Sequence, residues 1–222
     1  MKTELFPILR YLGLPSPKGI IQVGASYGQE LKDFIEAGVG CGILIEPLDE
    51  PFQHLASVCR QTPDFIAVKA LCTEKSGQTY DFNVASNHGT SSSILTPANH
   101  LTQFDYVHFT ETRQITSISL DDVFSSLRSF GYDNICGRVD TLYIDTQGAE
   151  LSVLQGALDT LKSIKYIFTE VTRNNMYSGA PSLEMLVDFL HQFEFVLNNV
   201  NFNKENHADA IFLRADVIDI KL

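Results

Sequence analysis

Short apolar runs alternate with segments of helical periodicity along the first part of the chain. The run Ile20–Val23 ends in a glycine turn, and Leu31, Phe34 and Ile35 follow it at helical spacing. A second apolar run covers residues 42–46. The next helix is predicted from apolar residues at i, i+3, i+4 and i+7, namely Phe52, Leu55, Ala56 and Cys59. The pattern predicts a strand–helix unit that occurs twice.

The rest of the chain continues this alternation and ends with two successive strands. Further strands are predicted at residues 65–71, 80–84, 112–118, 141–145 and 164–171, with 80–84 as the hairpin partner of 65–71. Leu151, Leu154, Leu158 and Leu161 predict one amphipathic helix, and Ser119 and Ser182 are expected to cap two others. No helical pattern separates residues 193–200 from 208–214, so these two strands are expected to pair antiparallel.

This order predicts an α/β fold in which a doubly wound, mostly parallel sheet is closed by an antiparallel C-terminal hairpin. We expect a single domain over residues 1–222, with residues 1–18 as a lead-in segment. Ligands of such sheets bind beyond the carboxyl ends of the strands. Three acids lie at predicted carboxyl ends, Glu46, Asp145 and Glu170, together with Gly24 and Leu71. The sequence therefore predicts a binding site at this edge.

Residues 87–110 have no clear period and form the least regular part of the chain. Structureless segments of this length inside a domain are usually functional or disordered, and the aromatic and histidine content argues against simple disorder. We expect a lid or substrate loop; the alternative is a surface excursion without a role.

Composition limits the classes of function. The 222 residues carry a formal net charge of -11, which disfavours a phosphate backbone as partner. No run of 18 apolar residues and no long apolar leader occurs, so neither membrane insertion nor secretion is expected. The four cysteines are widely spaced and are expected to be reduced thiols of a cytoplasmic protein. No zinc site is expected because the histidines have no ligand spacing with them, and Asp145 and Glu170 lack the third ligand that would predict another metal site.

The glycine turn suggests the chemistry of the ligand. Its spacing, Gly24-x-x-x-Gly28, is not the Gly-x-Gly-x-x-Gly of a diphosphate site, which makes a nicotinamide dehydrogenase a distant alternative. A glycine turn suits close approach of a ligand, and a following helix start suits an anionic group. Glu46, at the tip of the second strand, can accept two ribose hydroxyl protons. S-adenosylmethionine fits this pattern; the plain alternative is an ordinary strand–turn–helix with an incidental acid.

Several short motifs in a fixed order resemble the FkbM family of S-adenosylmethionine-dependent methyltransferases. The matching segments are residues 23–28, 45–47, 91–95, 119–124, 144–157, 168–171 and 209–212. The run 144–157, Ile-Asp-Thr-Gln-Gly-Ala-Glu-Leu-Ser-Val-Leu-Gln-Gly-Ala, is the most specific. The chain departs from the family at three positions. Gln22 stands where Asp is frequent, Tyr143 where Lys is frequent, and Gln147 where the family has Glu.

The resemblance implies a Rossmann-like class I methyltransferase fold, with seven strands and an antiparallel last strand. It also implies methyl transfer to oxygen, on a hydroxyl of a sugar or natural product. That no nucleic-acid or membrane partner is expected follows from the composition. An N-methyltransferase of a small molecule and an inactive scaffold remain alternatives. The oligomeric state stays open.

Residue roles follow from the resemblance and from position in the predicted sheet. Residues expected to bind the cofactor are Gln22, Gly24, Ala25, Ser26, Tyr27, Gly28, Glu46, Pro47, Ala70, Leu71 and Asp145. Of these, Glu46 is expected to bind the ribose, and Ala70 and Leu71 are expected to contact the adenine. Asp145 is also a catalytic candidate, with an N-cap as its plain alternative.

The acceptor side is predicted less specifically. A hydroxyl acceptor needs a general base, and His88 is the candidate, with His108 and Glu170 as weaker ones. Residues expected at the acceptor are Ser91, Ser92, Glu150 and Glu170. The plain alternatives are a surface histidine for His88, a polar loop for the serines and favourable placement at a helix start for Glu150.

Overall fold

A seven-stranded sheet forms the centre of the computed structural model, which describes residues 4–173, 175–204 and 207–218. From one edge to the other its strands are Phe65–Val68 (β3), Gly42–Ile45 (β2), Ile20–Val23 (β1), Thr141–Ile144 (β7), Tyr166–Thr172 (β8), His207–Arg214 (β10) and Phe195–Val200 (β9). Neighbouring strands from β3 to β8 pair in parallel, and β10 is antiparallel to both β8 and β9. The predicted doubly wound sheet with an antiparallel C-terminal hairpin is confirmed.

Helices cover both faces of this sheet. Those on one face are Leu5–Tyr11 (α1), Leu31–Glu36 (α2), Asp49–Cys59 (α3) and Ala215–Ile218 (α9). Those on the other face are Leu120–Ser129 (α5), Asp133–Cys136 (α6), Glu150–Gln155 (α7) and Leu183–His191 (α8). Successive residues of each central strand alternate between these two cores, so β1, β2 and β7 are buried throughout.

Two helix starts confirm predicted caps. The Ser119 hydroxyl accepts a hydrogen bond from the Asp122 N–H (3.1 Å), and Ser182 accepts one from Met185 (3.3 Å). Each bond satisfies one of the N–H groups that a helix leaves without an internal partner.

Strand pairing in the middle of the chain differs from the prediction. Residues 65–71 do not form one strand: β3 ends at Val68, and Leu71–Cys72 (β4) belongs to a separate three-stranded sheet. That sheet also contains Thr79–Ala85 (β5) and Phe109–Ile118 (β6), in the order β4-β6-β5. Strand β5 therefore pairs with β6 rather than with β3, because Leu71 leaves the main sheet to pack with Leu48 and Phe82.

The predicted helix through Leu161 is also interrupted. Helix α7 ends at Gln155, and a short 3₁₀ turn, Thr160–Lys162, follows after Gly156. A Cβ at position 156 would collide with the backbone carbonyl of Thr73. The glycine thus allows the chain after β4 to pass directly against the end of α7.

Gly156→Ala is expected to destabilise the fold by about 2–3 kcal/mol, because a backbone carbonyl cannot move aside as a flexible side chain can. Gly137→Ala is the control, since a Cβ there would lie 3.1 Å from the nearest atom, the Asp133 carbonyl oxygen. Urea unfolding of both variants measures the difference. Equal stabilities would contradict the close approach at Gly156.

Two further observations bear on the class of protein. All four cysteines are buried and none forms a disulfide, as expected. Among the helices of the described residues, none combines the length and the apolar character needed to cross a membrane.

Candidate active site

The register of the sheet brings the predicted acids to one edge. Val23 is paired with both Ile45 and Ile144, and Ile144 with Thr169. Consequently the residues that follow these pairs, Gly24, Glu46, Asp145 and Glu170, lie side by side at this edge. The first three come directly after their strands, whereas Glu170 lies within β8, which continues to Thr172. All four line a cavity of about 410 Å³, a volume typical of small-molecule sites.

Gly24 is required by the fold as much as by a ligand. Its φ is +84°, and a Cβ there would overlap the carbonyl of Asp145 on the neighbouring strand. The expectation that the start of the following helix would hold an anion is wrong in detail. Helix α2 begins only at Leu31 and has six residues, and the residue before it, Glu30, is itself an acid. The turn itself contributes Gly24 and Ser26 to the cavity wall.

Glu46 is held in place by this turn. Its carboxylate accepts hydrogen bonds from the N–H groups of Ser26 and Leu48, both at 2.9 Å. Burial raises the pKa of Glu46 to about 7, while the two backbone hydrogen bonds favour the charged form and Asp145 disfavours it. Because each oxygen accepts one N–H bond, each retains a lone pair for a ligand hydroxyl.

The other predicted cofactor residues divide into two groups. Ser26, Pro47, Ala70 and Leu71 line the cavity, with Phe82 extending its apolar part. Those that do not line it are Gln22, Ala25, Tyr27 and Gly28. Gln22 is buried and donates to the Glu30 carboxylate (2.9 Å), and Ala25 lies in the core.

Asp145 and Glu170 form a carboxylate pair joined by an amide. The Gln147 side chain donates to Asp145 Oδ1 (2.8 Å) and to Glu170 Oε2 (2.7 Å). Nδ1 of His207 lies 3.3 Å from the other oxygen of Glu170. Burial raises the pKa of Glu170 to about 7, and burial together with the charge of Glu170 raises the pKa of Asp145. Glu170 can therefore gain or lose a proton near neutral pH.

Glu150 has a structural position. Its buried carboxylate accepts from the N–H groups of Thr146 (3.1 Å) and Gly148 (3.0 Å), and from the Thr146 hydroxyl (3.2 Å). It stabilises the turn that carries Gln147, which has a positive φ of 55°. Glu150 does not line the cavity, so its expected contact with an acceptor has no support in the geometry.

Residues 87–110 border the cavity and are fastened to the rest of the protein. The Tyr177 hydroxyl donates to the Ser91 carbonyl (2.7 Å) and lies 3.2 Å from Oε1 of Gln147. The N–H of Ala98 donates to the Met176 carbonyl at 2.8 Å. Ser91 and Ser92 line the cavity as predicted, although the Ser92 hydroxyl also accepts from the Ala85 N–H. The segment forms an ordered wall and includes a short helix, His100–Gln103 (α4).

His88 lies outside this cavity. Its exposed ring contacts Tyr27 edge-on (6.4 Å between centroids) and lines a second depression on the far side of Gly89. His108 does not line the cavity either. Geometry thus offers neither histidine as a base for chemistry beside Asp145.

The sequence assigned no site role to two residues at the acceptor side, His100 and His207, and it left Phe104 open between stacking on a sugar ring and packing in the core. His100 and Phe104 line the cavity from residues 87–110, and His207 does so from the start of β10. For His207 a signal existed: an antiparallel strand begins at the edge where its parallel neighbours end, so its first residue lies at the site. For His100 and Phe104 the irregular segment offered no periodicity to follow.

The cavity suits the S-adenosylmethionine that the sequence suggested. Its carboxylates complement a sulfonium and an ammonium group, and Glu46 has acceptor capacity for ribose hydroxyls. The Ser26 hydroxyl, buried at the turn, has no hydrogen-bond partner in the structure and can meet a polar group of a ligand.

Comparison with known proteins agrees with this chemistry. The family model for the methyltransferase FkbM domain matches residues 22–197. The chain is 27% identical over 199 residues to the 2-O-methyltransferase NoeI of Sinorhizobium fredii (strain NBRC 101917 / NGR234), which covers 85% of this chain and 77% of that protein.

Solved structures share the fold at low sequence identity. The magnesium protoporphyrin IX methyltransferase of Synechocystis PCC 6803 is 7% identical, with a TM-score of 0.51 over 96% of this chain and 77% of the other. The tRNA methyltransferase TrmK of B. subtilis is 9% identical, with a TM-score of 0.50 over 99% and 68%.

Proposed function

Because the chain belongs to the FkbM family of S-adenosylmethionine-dependent methyltransferases, we propose that it methylates a hydroxyl oxygen of a sugar or another small natural product. The observation that carries the proposal is the Asp145–Gln147–Glu170 arrangement in the cavity wall. A hydroxyl is a weak nucleophile with a high pKa, and these carboxylates can remove its proton. The relative named as a 2-O-methyltransferase supports the choice of oxygen.

Cofactor binding is assigned to the residues that follow β1, β2 and β3. Glu46 holds the ribose hydroxyls, the apolar surface of Ala70 and Leu71 contacts the adenine, and the turn at Gly24 and Ser26 holds the methionine part. S-adenosylmethionine supplies a methyl carbon activated by positively charged sulfur. The residues beyond β7 then have to orient the acceptor, since positioning accounts for much of the rate in such a displacement.

Proton removal is assigned to Glu170, with Asp145 beside it. Gln147 fixes both carboxylates, and its side-chain oxygen lies 3.2 Å from the Tyr177 hydroxyl. With a pKa of about 7, Glu170 is ionised in a large fraction of molecules at neutral pH and retains enough basicity to accept a proton. The role of general base, which the sequence suggested for His88, is therefore assigned to Glu170 and Asp145.

The test is methyl transfer from labelled S-adenosylmethionine to a panel of small alcohols, phenols, glycosides and matched amines. NMR of the product identifies the methylated atom. We expect O-methyl products. Exclusive N-methylation would contradict the proposal, and tight cofactor binding with no transfer to any acceptor would favour a binding protein instead.

A further inference from the structure

One wall of the acceptor side is aromatic. The His100 and Phe104 rings lie 5.2 Å apart between centroids, and Tyr177 packs 5.5 Å from His100. Phe104 is half-buried and lines the cavity. His100 is 2% exposed, its Nδ1 has no hydrogen-bond partner, and burial lowers its pKa, which keeps the ring neutral at pH 7. This wall offers the cavity an uncharged, aromatic surface.

The carboxylate pair forms another part of the cavity wall, and one ring connects it to the aromatic residues. His207 lies 3.3 Å from Glu170 on one side, and its ring is 5.8 Å from that of Phe104 on the other. An acceptor next to Glu170 is therefore also next to Phe104. A pyranose ring has a C–H face that packs on aromatic side chains and a rim of hydroxyls that donate to carboxylates.

The charges of the cavity restrict the acceptor further. Four carboxylates line it, those of Glu30, Glu46, Asp145 and Glu170, whereas no Lys or Arg does so among the residues that the structure describes. Arg113 lines the second depression, where it is paired with Glu111. Phosphate groups are normally held by Arg, Lys or well-oriented backbone N–H groups, and a dianion is repelled by clustered carboxylates.

We propose that the acceptor is an uncharged or cationic glycoside, bound between the His100–Phe104 wall and the Asp145–Glu170 wall, and not a sugar phosphate or a nucleotide sugar. Methylation then follows the glycosyl transfer that releases the nucleotide. This inference rests on the proposed O-methylation and adds the charge class of its substrate.

Binding of matched probes tests it without turnover. Protein saturated with S-adenosylhomocysteine is titrated with p-nitrophenyl pyranosides, including an amino sugar, and with p-nitrophenyl phosphate and a nucleoside diphosphate sugar. We expect at least one pyranoside to bind at least 30-fold more tightly than either phosphate. Tighter binding of a phosphate, or no pyranoside binding at all, overturns the inference.

Phe104→Ala separates the aromatic wall from the carboxylates. It is expected to raise the KM of a glycoside at least tenfold with kcat changed less than threefold, whereas Phe130→Ala, at an exposed ring outside the cavity, leaves both unchanged. An unchanged KM in Phe104→Ala would remove the aromatic wall from the site. Methylation of simple alcohols without glycoside binding would leave the proposed function standing and this inference refuted. Glycoside binding without transfer to any acceptor would support the binding site inferred here and contradict the proposed function.

Discussion

Glu46→Ala is expected to weaken the binding of S-adenosylmethionine and S-adenosylhomocysteine at least 30-fold, which corresponds to about 2 kcal/mol. The variant loses an acceptor for the ribose hydroxyls. It also leaves the N–H groups of Ser26 and Leu48 without the carboxylate that fixes the turn. Calorimetric titration of the purified protein measures the effect directly.

Two controls separate binding from folding in this prediction. Glu46→Gln keeps the shape of the side chain and one carbonyl acceptor, so an intermediate loss is expected. Glu50→Gln, at an exposed position four residues along, should bind as the wild type does. An unchanged dissociation constant in a folded Glu46→Ala protein would remove Glu46 from the cofactor site.

Glu170→Gln is expected to lower kcat at least 100-fold while cofactor binding changes less than threefold, because the side chain keeps its shape but can no longer accept a proton. In the wild type, Glu170 is protonated below its pKa of about 7 and ionised above it. The rate of transfer should therefore rise about tenfold from pH 6 to pH 8 and then level off. This rise should be absent from the residual activity of the variant.

The comparison variants for Glu170 are chosen by position. Asp145→Asn should also lower kcat. If the two carboxylates act as a unit, the loss in the double variant should be smaller than the sum of the two single losses in activation free energy. Glu184→Gln makes the same chemical change on α8, outside the cavity, and should retain full activity. A Glu170→Gln enzyme with wild-type turnover and an unaltered pH profile would contradict the assignment of the base.

The predictable part of the site depends on the parallel strands. Apolar runs that end in Gly24, Glu46, Asp145 and Glu170 could be read as buried strands, and parallel pairing sends every such end to the same edge. Periodicity is therefore sufficient to predict which edge of the sheet carries the candidate site.

Long-range contacts decided what could not be predicted. Residues 65–71 look like one strand because nothing local marks the point where Leu71 turns to join β6. The leucines through Leu161 have helical spacing, and only the approach of Thr73 to Gly156 shows why the helix stops. Likewise, His88 lies outside the cavity and His207 inside it because of how distant segments come together, which local sequence does not reveal.

The central claim is that one cavity places the cofactor's sulfur beside Asp145 and Glu170. A crystal structure with S-adenosylhomocysteine tests it most directly. We expect the ribose hydroxyls on Glu46, the adenine against Ala70 and Leu71, and the sulfur directed toward the Asp145–Gln147–Glu170 group. A cofactor bound beside Tyr27 and His88, or one whose sulfur points away from these carboxylates, would contradict the account.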